Sequence, residues 1–219
     1  IDDVAVVGFG GVLCIELGDI FQTADCAGQG MEEALSFLRD GGLFDAHDPH
    51  VVFYDVPGEV LCGGLAAPLR NSLVEKAYVV SSPDIVSLYT ANSIFSTISR
   101  YADKGGARLG GIIANGLTTS FAESYIADFA AHTKSPVVSF VPRSLTILQS
   151  ELYGKTIIEA APLSNQAYLC RKLALQIVGS NDATIPEPLS PAGLRSWAKQ
   201  WGDRIFELET GIIREGASI

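Results

Sequence analysis

Apolar positions along the chain fall into short continuous runs separated by longer stretches with helical spacing. Val51, Val52, Phe53 and Tyr54 form a β-branched and aromatic run between Pro49 and Pro57, the pattern of a strand buried on both faces of a parallel sheet. Gly11 to Glu16 reads as another strand with Cys14 in its interior, as core more often than chemistry, and Leu17 to Asp25 as a loop. Ala27 to Asp40 is expected to be helical, with Met31, Ala34, Leu35 and Leu38 spaced along one face and Gly41-Gly42 as its stop. Leu65 to Leu73 reads as a short helix and Ala77 to Ser81 as the next buried strand. Asp84 is placed to cap a long helix reaching about Ala102, with Ile85, Leu88, Ile94, Phe95 and Ile98 broadly on one face. Strands over Arg108 to Asn115 and Pro136 to Val141 flank a helix from Ser120 to Thr133. Strands alternating with helices predict an α/β fold: a parallel sheet with helices on both faces.

The pattern changes character at Ser180. Asn181 to Pro188 is a polar loop with two prolines, and Ser190-Pro191 supplies an N-cap followed by Pro at the first helical position. Leu194, Trp197, Ala198 and Trp201 follow at helical spacing, with Ile205 and Leu208 continuing beyond Gly202. An aromatic stripe at that spacing is expected to be packing surface. We therefore divide the chain into a domain over 1–179 and a C-terminal helical extension over 180–219.

A chain of 219 residues suffices for one α/β domain with a sizeable core, and an apolar fraction of 47% against 18% charged residues fits a buried parallel sheet. The formal charge of -10 argues against nucleic acid or an anionic membrane as partner, since both select basic stripes. Val4 to Ile15 is apolar, but it is preceded by Asp2 and Asp3 and is too short and Gly-broken to span a bilayer, so a soluble cytoplasmic protein is expected. The cysteines at 14, 26, 62 and 170 show no CxxC spacing, which speaks against a zinc ribbon or a thioredoxin motif.

Chemistry concentrates in two stretches. Asp55 falls at the carboxyl end of the Val51 run, the edge where open α/β sheets bind ligands and where an Asp holds the Mg²⁺ of a nucleotide in P-loop NTPases. Gly58 completes a DxxG whose amide can sense a γ-phosphate, and Cys62 follows between Leu61 and Gly63. Taken alone, Asp55 reads more often as a turn residue and Cys62 equally as a small buried hydrophobe. Upstream, Cys26 opens the helix-like run Cys26-Ala27-Gly28-Gln29-Gly30, where free amides and the helix dipole favour a thiolate.

CAGQG at 26–30, VFYDVPGEVLCGG at 52–64, RLGGIIAN at 108–115 and FVPR at 140–143, in that order, resemble the nitrogenase iron protein and its relatives, the electron-donating subunits of tetrapyrrole reductases. The resemblance runs from about Gly10 to about Val178. It implies a P-loop NTPase-like fold and a homodimer with one [4Fe-4S] cluster on its twofold axis, each subunit contributing two thiolates, here Cys26 and Cys62. It further implies MgATP as the second cofactor, with Asp55 and Gly58 in the switch between nucleotide and cluster. Asn115 matches the adenine-contacting Asn, and Pro142, Arg143 and Glu151 match the base and ribose side. A larger electron-accepting reductase and an upstream low-potential donor such as ferredoxin or flavodoxin are the implied partners. No GxxxxGK[ST] occurs in the chain, and in the resembled family that loop precedes the point matching residue 1, so the chain is read as a fragment whose N-terminal P-loop unit is missing.

Two departures bear on the acceptor. Gln29 stands where the nitrogenase iron protein has Arg, and Gly18 to Thr23 replaces its Gly-Gly-Pro-Glu-Pro-Gly loop. Loss of a fixed positive charge beside the implied cluster alters partner selection, pointing to a divergent nitrogenase-like reductase at least as much as to a standard nitrogenase component. A cluster-free partitioning or assembly ATPase of the same wider group is the alternative.

Overall fold

A computed structural model describes residues 5–16, 27–56, 69 and 74–212. Its centre is a three-stranded parallel sheet in the order β3 (Lys76–Ser81), β4 (Arg108–Leu117), β5 (Val137–Pro142). β4 lies between the other two and carries the most buried run, with Leu109, Ile112 and Ala114 at 0% exposure. Two adjacent glycines let it sit there. A Cβ on Gly110 would come within 2.5 Å of the Tyr78 ring, and one on Gly111, at φ 144°, within 2.5 Å of Val138 Cγ2 and 2.6 Å of the Pro136 carbonyl.

Helix α3 (Ile85–Ala102) begins as the sequence predicts, with Asp84 accepting from the Ser87 amide at 2.8 Å. Leu88, Phe95 and Ile98 form its buried stripe, whereas Ile85 is exposed. Helix α4 (Ser120–His132) brings Ile126 and Phe129 to the same core, where the Phe95 and Phe129 rings stack with centroids 6.0 Å apart. Val79 joins this core, while the neighbouring Tyr78 donates its hydroxyl to the Ile177 carbonyl of α7 (Asn165–Gly179) at 3.4 Å. Successive strand residues point to opposite faces, so helices cover both faces of the sheet, as expected.

The segment after residue 180 is fastened to this core. Thr184 and Leu109 exchange backbone hydrogen bonds of 2.9 and 2.8 Å, and the Asn92 side chain both donates to and accepts from the Leu189 backbone. Ser190 then caps α8 (Pro191–Thr210), which runs unbroken through Gly202 and stops at Gly211 in the left-handed conformation. Leu194, Trp197 and Trp201 are buried against α4, as expected of that stripe. Both indole N–H groups donate to one carboxylate oxygen, Asp128 Oδ2, at 2.7 Å each. Leu208 at the far end is exposed.

Two expectations are corrected. The run Val51 to Tyr54 is not a buried strand: residues 51–56 join no ladder, and Val51, Val52 and Phe53 are 46%, 44% and 67% exposed. A doubly buried strand needs a hydrogen-bonded neighbour on each side, and among the described residues β3 pairs with β4 alone. Cys14 likewise is not core. The strand over Gly11 to Glu16 shortens to β2 (Leu13–Ile15), which pairs antiparallel with β1 (Ala5–Val7) in a hairpin closed by a 3₁₀ turn at Phe9–Gly11. A two-stranded ribbon has too little area to bury both its faces, and Cys14 is exposed.

Helix α1 (Ala27–Asp40) has the predicted bounds, and Leu35 and Leu38 are buried on it. Two left-handed turns around Gly42 and Asp48 bracket the short α2 (Leu43–His47). The helix expected over Leu65 to Leu73 and the loop over Leu17 to Asp25 lie outside the described residues, apart from Leu69, which is buried. No helix among the described residues is long and apolar enough to cross a membrane.

Candidate nucleotide edge

Register fixes which predicted residues meet. Ser81, the last residue of β3, pairs with Ala114, so Asn115 emerges at the carboxyl edge immediately beyond the β3 end. Asn115 in turn pairs with Val141, and Leu117 with Pro142, across an irregularity at Gly116, whose φ of 75° requires glycine or a near substitute. The Arg143 amide closes this corner by donating to the Leu117 carbonyl at 2.8 Å. Asn115, Pro142 and Arg143 are therefore neighbours on adjoining strand ends, and all are exposed. This edge of a parallel sheet is where the fold class binds ligands.

Glu151 is placed differently. Ser144 caps α5 (Leu145–Leu152), and Glu151 stands exposed in the last turn of that helix, whose rise of about 1.5 Å per residue carries it roughly 10 Å away from the corner. Asp55 is exposed at the end of the extended 51–56 segment and lines one groove with Val80 and Ile113, each within two residues of the carboxyl edge. Gly58, Cys26 and Cys62 lie outside the described residues. The helix that follows Cys26 in the sequence, α1, is described from Ala27 and is 14 residues long.

One group at this edge is legible in the sequence only as a cap. Ser82 donates its hydroxyl to Asp84 Oδ2, Ser87 donates to the same oxygen at 2.8 Å, and the two hydroxyls stand 2.7 Å apart. The Ser82 hydroxyl, together with the Ser87 donors, holds the Asp84 carboxyl below its ordinary range against a smaller opposing effect of burial. Burial and the Asp84 charge push the Tyr125 hydroxyl up. Tyr125 packs on Trp197 and Trp201 at centroid distances of 4.8 and 5.3 Å, so the aromatic wall of α8 reaches towards the edge. The S-x-D-x-x-S spacing is the signal that would have flagged the two serines.

A stability prediction follows from the depressed pKa. Asp84→Ala is expected to cost about 1 kcal/mol at neutral pH, the usual worth of an N-cap. Because the folded pKa lies below the ordinary 3.8, the charge-dependent part is present above that value and fades as pH falls through the lower folded one. Urea unfolding of both proteins should show their difference shrinking below about pH 4. A difference independent of pH would assign the effect to the hydrogen-bond geometry alone.

Among the described residues no three His, Cys, Asp or Glu side chains are grouped to hold a metal. Cys14 is exposed on β2 and Cys170 half-buried on α7, both as free thiols.

Comparison with known proteins supplies the family. The model of the 4Fe-4S iron sulfur cluster binding proteins, NifH/frxC family, matches residues 1–203. Nitrogenase iron protein 2 of Paenibacillus durus is 41% identical over 216 residues, covering 99% of this chain and 74% of its own length. The nitrogenase iron protein of Methanococcus voltae is 41% identical over 194 residues, covering 89% and 70%. Among solved structures, the MinD cell division protein of Aquifex aeolicus superposes with a TM-score of 0.57 at 15% identity, over 83% of this chain and 70% of that one. The cell division ATPase MinD of Pyrococcus furiosus gives 0.57 at 18% identity, over 81% and 70%. These likenesses carry the α/β, P-loop NTPase-like architecture. The sequence matches carry more: the chain belongs to the nitrogenase iron protein family.

Proposed function

We propose that this chain is the ATP-dependent electron donor of a nitrogenase-type or nitrogenase-like reductase, working as a homodimer that holds one [4Fe-4S] cluster through Cys26 and Cys62 of each subunit. The observation that carries this reading is the family match over 1–203, which spans both cysteines and the nucleotide edge. A cluster of this type needs four thiolates, and two chains with Cys26 and Cys62 would supply them; Cys26 is next in sequence before α1, which begins at Ala27, and a helix amino terminus would favour the thiolate form. When bound, the cluster supplies one-electron transfer at low potential.

The chain's own residues act on the nucleotide. Asn115, Pro142 and Arg143, neighbours through the β4–β5 register, receive the base and ribose, with Glu151 one helix further along. Asp55 holds the Mg²⁺, and Gly58 senses the γ-phosphate. Only a short stretch separates Gly58 from Cys62, so loss of the γ-phosphate is felt at the thiolate without a long relay. Partners of this reading are an upstream low-potential donor such as ferredoxin or flavodoxin and a larger acceptor. Gln29 in place of a fixed positive charge favours a divergent acceptor.

A cluster-free nucleotide-switched ATPase has only the MinD likeness behind it, which speaks for fold alone, and it leaves two Gly-flanked thiols without a role. To test the nucleotide half, MgATP binding to the complete gene product is measured by calorimetry for the native protein and Asp55→Asn. The expected result is at least a tenfold loss of affinity in Mg²⁺ and little change in EDTA, since the carboxylate acts through the metal. Equal affinity in Mg²⁺ would remove Asp55 from the site.

A further inference from the structure

Of the five asparagines in this chain, Asn115 alone is followed by glycine; Ser72, Ser93, Gln166 and Asp182 follow the others. The Asn115-Gly116 pair stands where the sheet lets go of β4. The ladder to β3 ends one residue earlier, with Ser81 opposite Ala114. The ladder to β5 steps from Asn115, opposite Val141, to Leu117, opposite Pro142, and passes over Gly116. Asn115 is exposed, although Ala114 before it and Leu117 beyond it are buried. Gly116 has a φ of 75°, and nothing lies within 4 Å of the point where a Cβ would stand on it. Asn92 offers the contrast: it sits inside α3, and its side chain donates to and accepts from the Leu189 backbone at 2.9 and 2.8 Å.

We infer that Asn115-Gly116 is a self-modifying site, at which the Asn115 side chain is converted to a carboxylate and the nucleotide edge is thereby disabled. The backbone nitrogen of Gly116 attacks the side-chain carbonyl carbon of Asn115. A C–N bond forms there, the bond to the side-chain nitrogen breaks, and ammonia leaves with the proton given up by Gly116, closing a cyclic imide. Water then adds to either imide carbonyl: one opening gives aspartate, the other routes the backbone through the side chain as isoaspartate. One water is consumed and one ammonia released, and nothing is oxidised or reduced. A side chain on the following residue would crowd the attacking nitrogen, and glycine has none. The turn that brings nitrogen and side chain together costs no ladder position at Gly116, because both registers leave it out. Either product sets a negative charge on the edge that the proposed function gives to an anionic nucleotide, and isoaspartate also lengthens β4 between the partners of Val141 and Pro142. The conversion itself is independent of that function, and its effect on nucleotide binding rests on it.

The test follows every asparagine of the complete gene product by peptide mass mapping during incubation in mildly alkaline buffer, with electron-transfer fragmentation to separate aspartate from isoaspartate. Asn115 should convert at least about tenfold faster than Asn92 or Asn181 in the same molecules, as expected of a thermolabile side chain left exposed beside glycine. Asn115→Gln should abolish conversion at that position. Asn115 surviving as long as Asn181, which is exposed in a loop, overturns the inference. Calorimetry with MgATP on the same incubated samples reads the consequence: the number of competent sites should fall in step with the converted fraction, and Asn115→Asp made directly should bind at least about tenfold more weakly than the fresh native protein. Undiminished binding after complete conversion overturns the disabling of the edge. Fresh native protein that binds no MgATP would instead sink the nucleotide reading, with the mass map still deciding the conversion.

Discussion

Replacing Cys26 or Cys62 with Ser is expected to reduce iron in the anaerobically purified gene product from about four atoms per dimer to near zero, while Cys14→Ser and Cys170→Ser leave it unchanged. The contrast rests on where the thiols stand. Cys14 is exposed on a two-stranded hairpin, and Cys170 sits half-buried in the middle of α7, with no helix amino terminus beside it. Cys26 instead precedes the first turn of α1, and Cys62 lies four residues after Gly58 in a Gly-rich stretch. A cluster shared across a twofold axis loses two of its four ligands with one substitution per chain, so the loss is close to complete. Iron and acid-labile sulfide assays on the four variants decide it. Iron retained in both Cys26→Ser and Cys62→Ser would remove the cluster from these residues.

The largest stability effect is expected at Trp197. Its indole is 3% exposed, packs on Tyr125 and Phe129 at centroid distances of 4.8 and 5.3 Å, and donates to Asp128. Trp197→Ala removes this contact area and leaves a cavity where α8 meets α4, a loss of about 3–5 kcal/mol. For a chain of this size that lowers Tm by roughly 6–20 °C. Asp128 is partly open to water, so its own truncation should cost less than that of the ring it holds. Thermal unfolding followed by near-ultraviolet circular dichroism checks the ring directly. A shift under about 2 °C would mean that α8 contributes little to the core.

Local chemistry made much of this fold legible. Asp84 and Ser190-Pro191 announce helix starts because an N-cap is satisfied within three residues of itself, and both helices begin where those residues stand. The β4 run was readable because a strand buried on both faces is largely apolar, and the half-buried β5 because its Val and Phe residues favour a strand. Val51 to Tyr54 has the same composition and yet is in no ladder, because pairing depends on a neighbour that composition does not encode. Cys14 was misplaced for a related reason: three residues of apolar strand look alike in a covered sheet and in an exposed hairpin. The acceptor shared by Trp197 and Trp201 lies about 70 residues back along the chain, at Asp128, beyond the reach of any periodicity. Gly110 and Gly111 read as a motif, but their cause is the approach of Tyr78 on β3 and Val138 on β5 from the neighbouring strands. The register sets Asn115, Pro142 and Arg143 side by side, a neighbourhood that spacing along the chain does not give, while Glu151 stands a helix length away.

A bridging [4Fe-4S] cluster in an ATP-gated electron donor would show itself in the EPR spectrum of the anaerobically purified complete gene product after dithionite reduction, with iron and sulfide measured on the same sample. About four irons and four sulfides per dimer are expected, with a reduced-cluster signal that vanishes in Cys26→Ser. A colourless, EPR-silent protein after anaerobic reconstitution would contradict it.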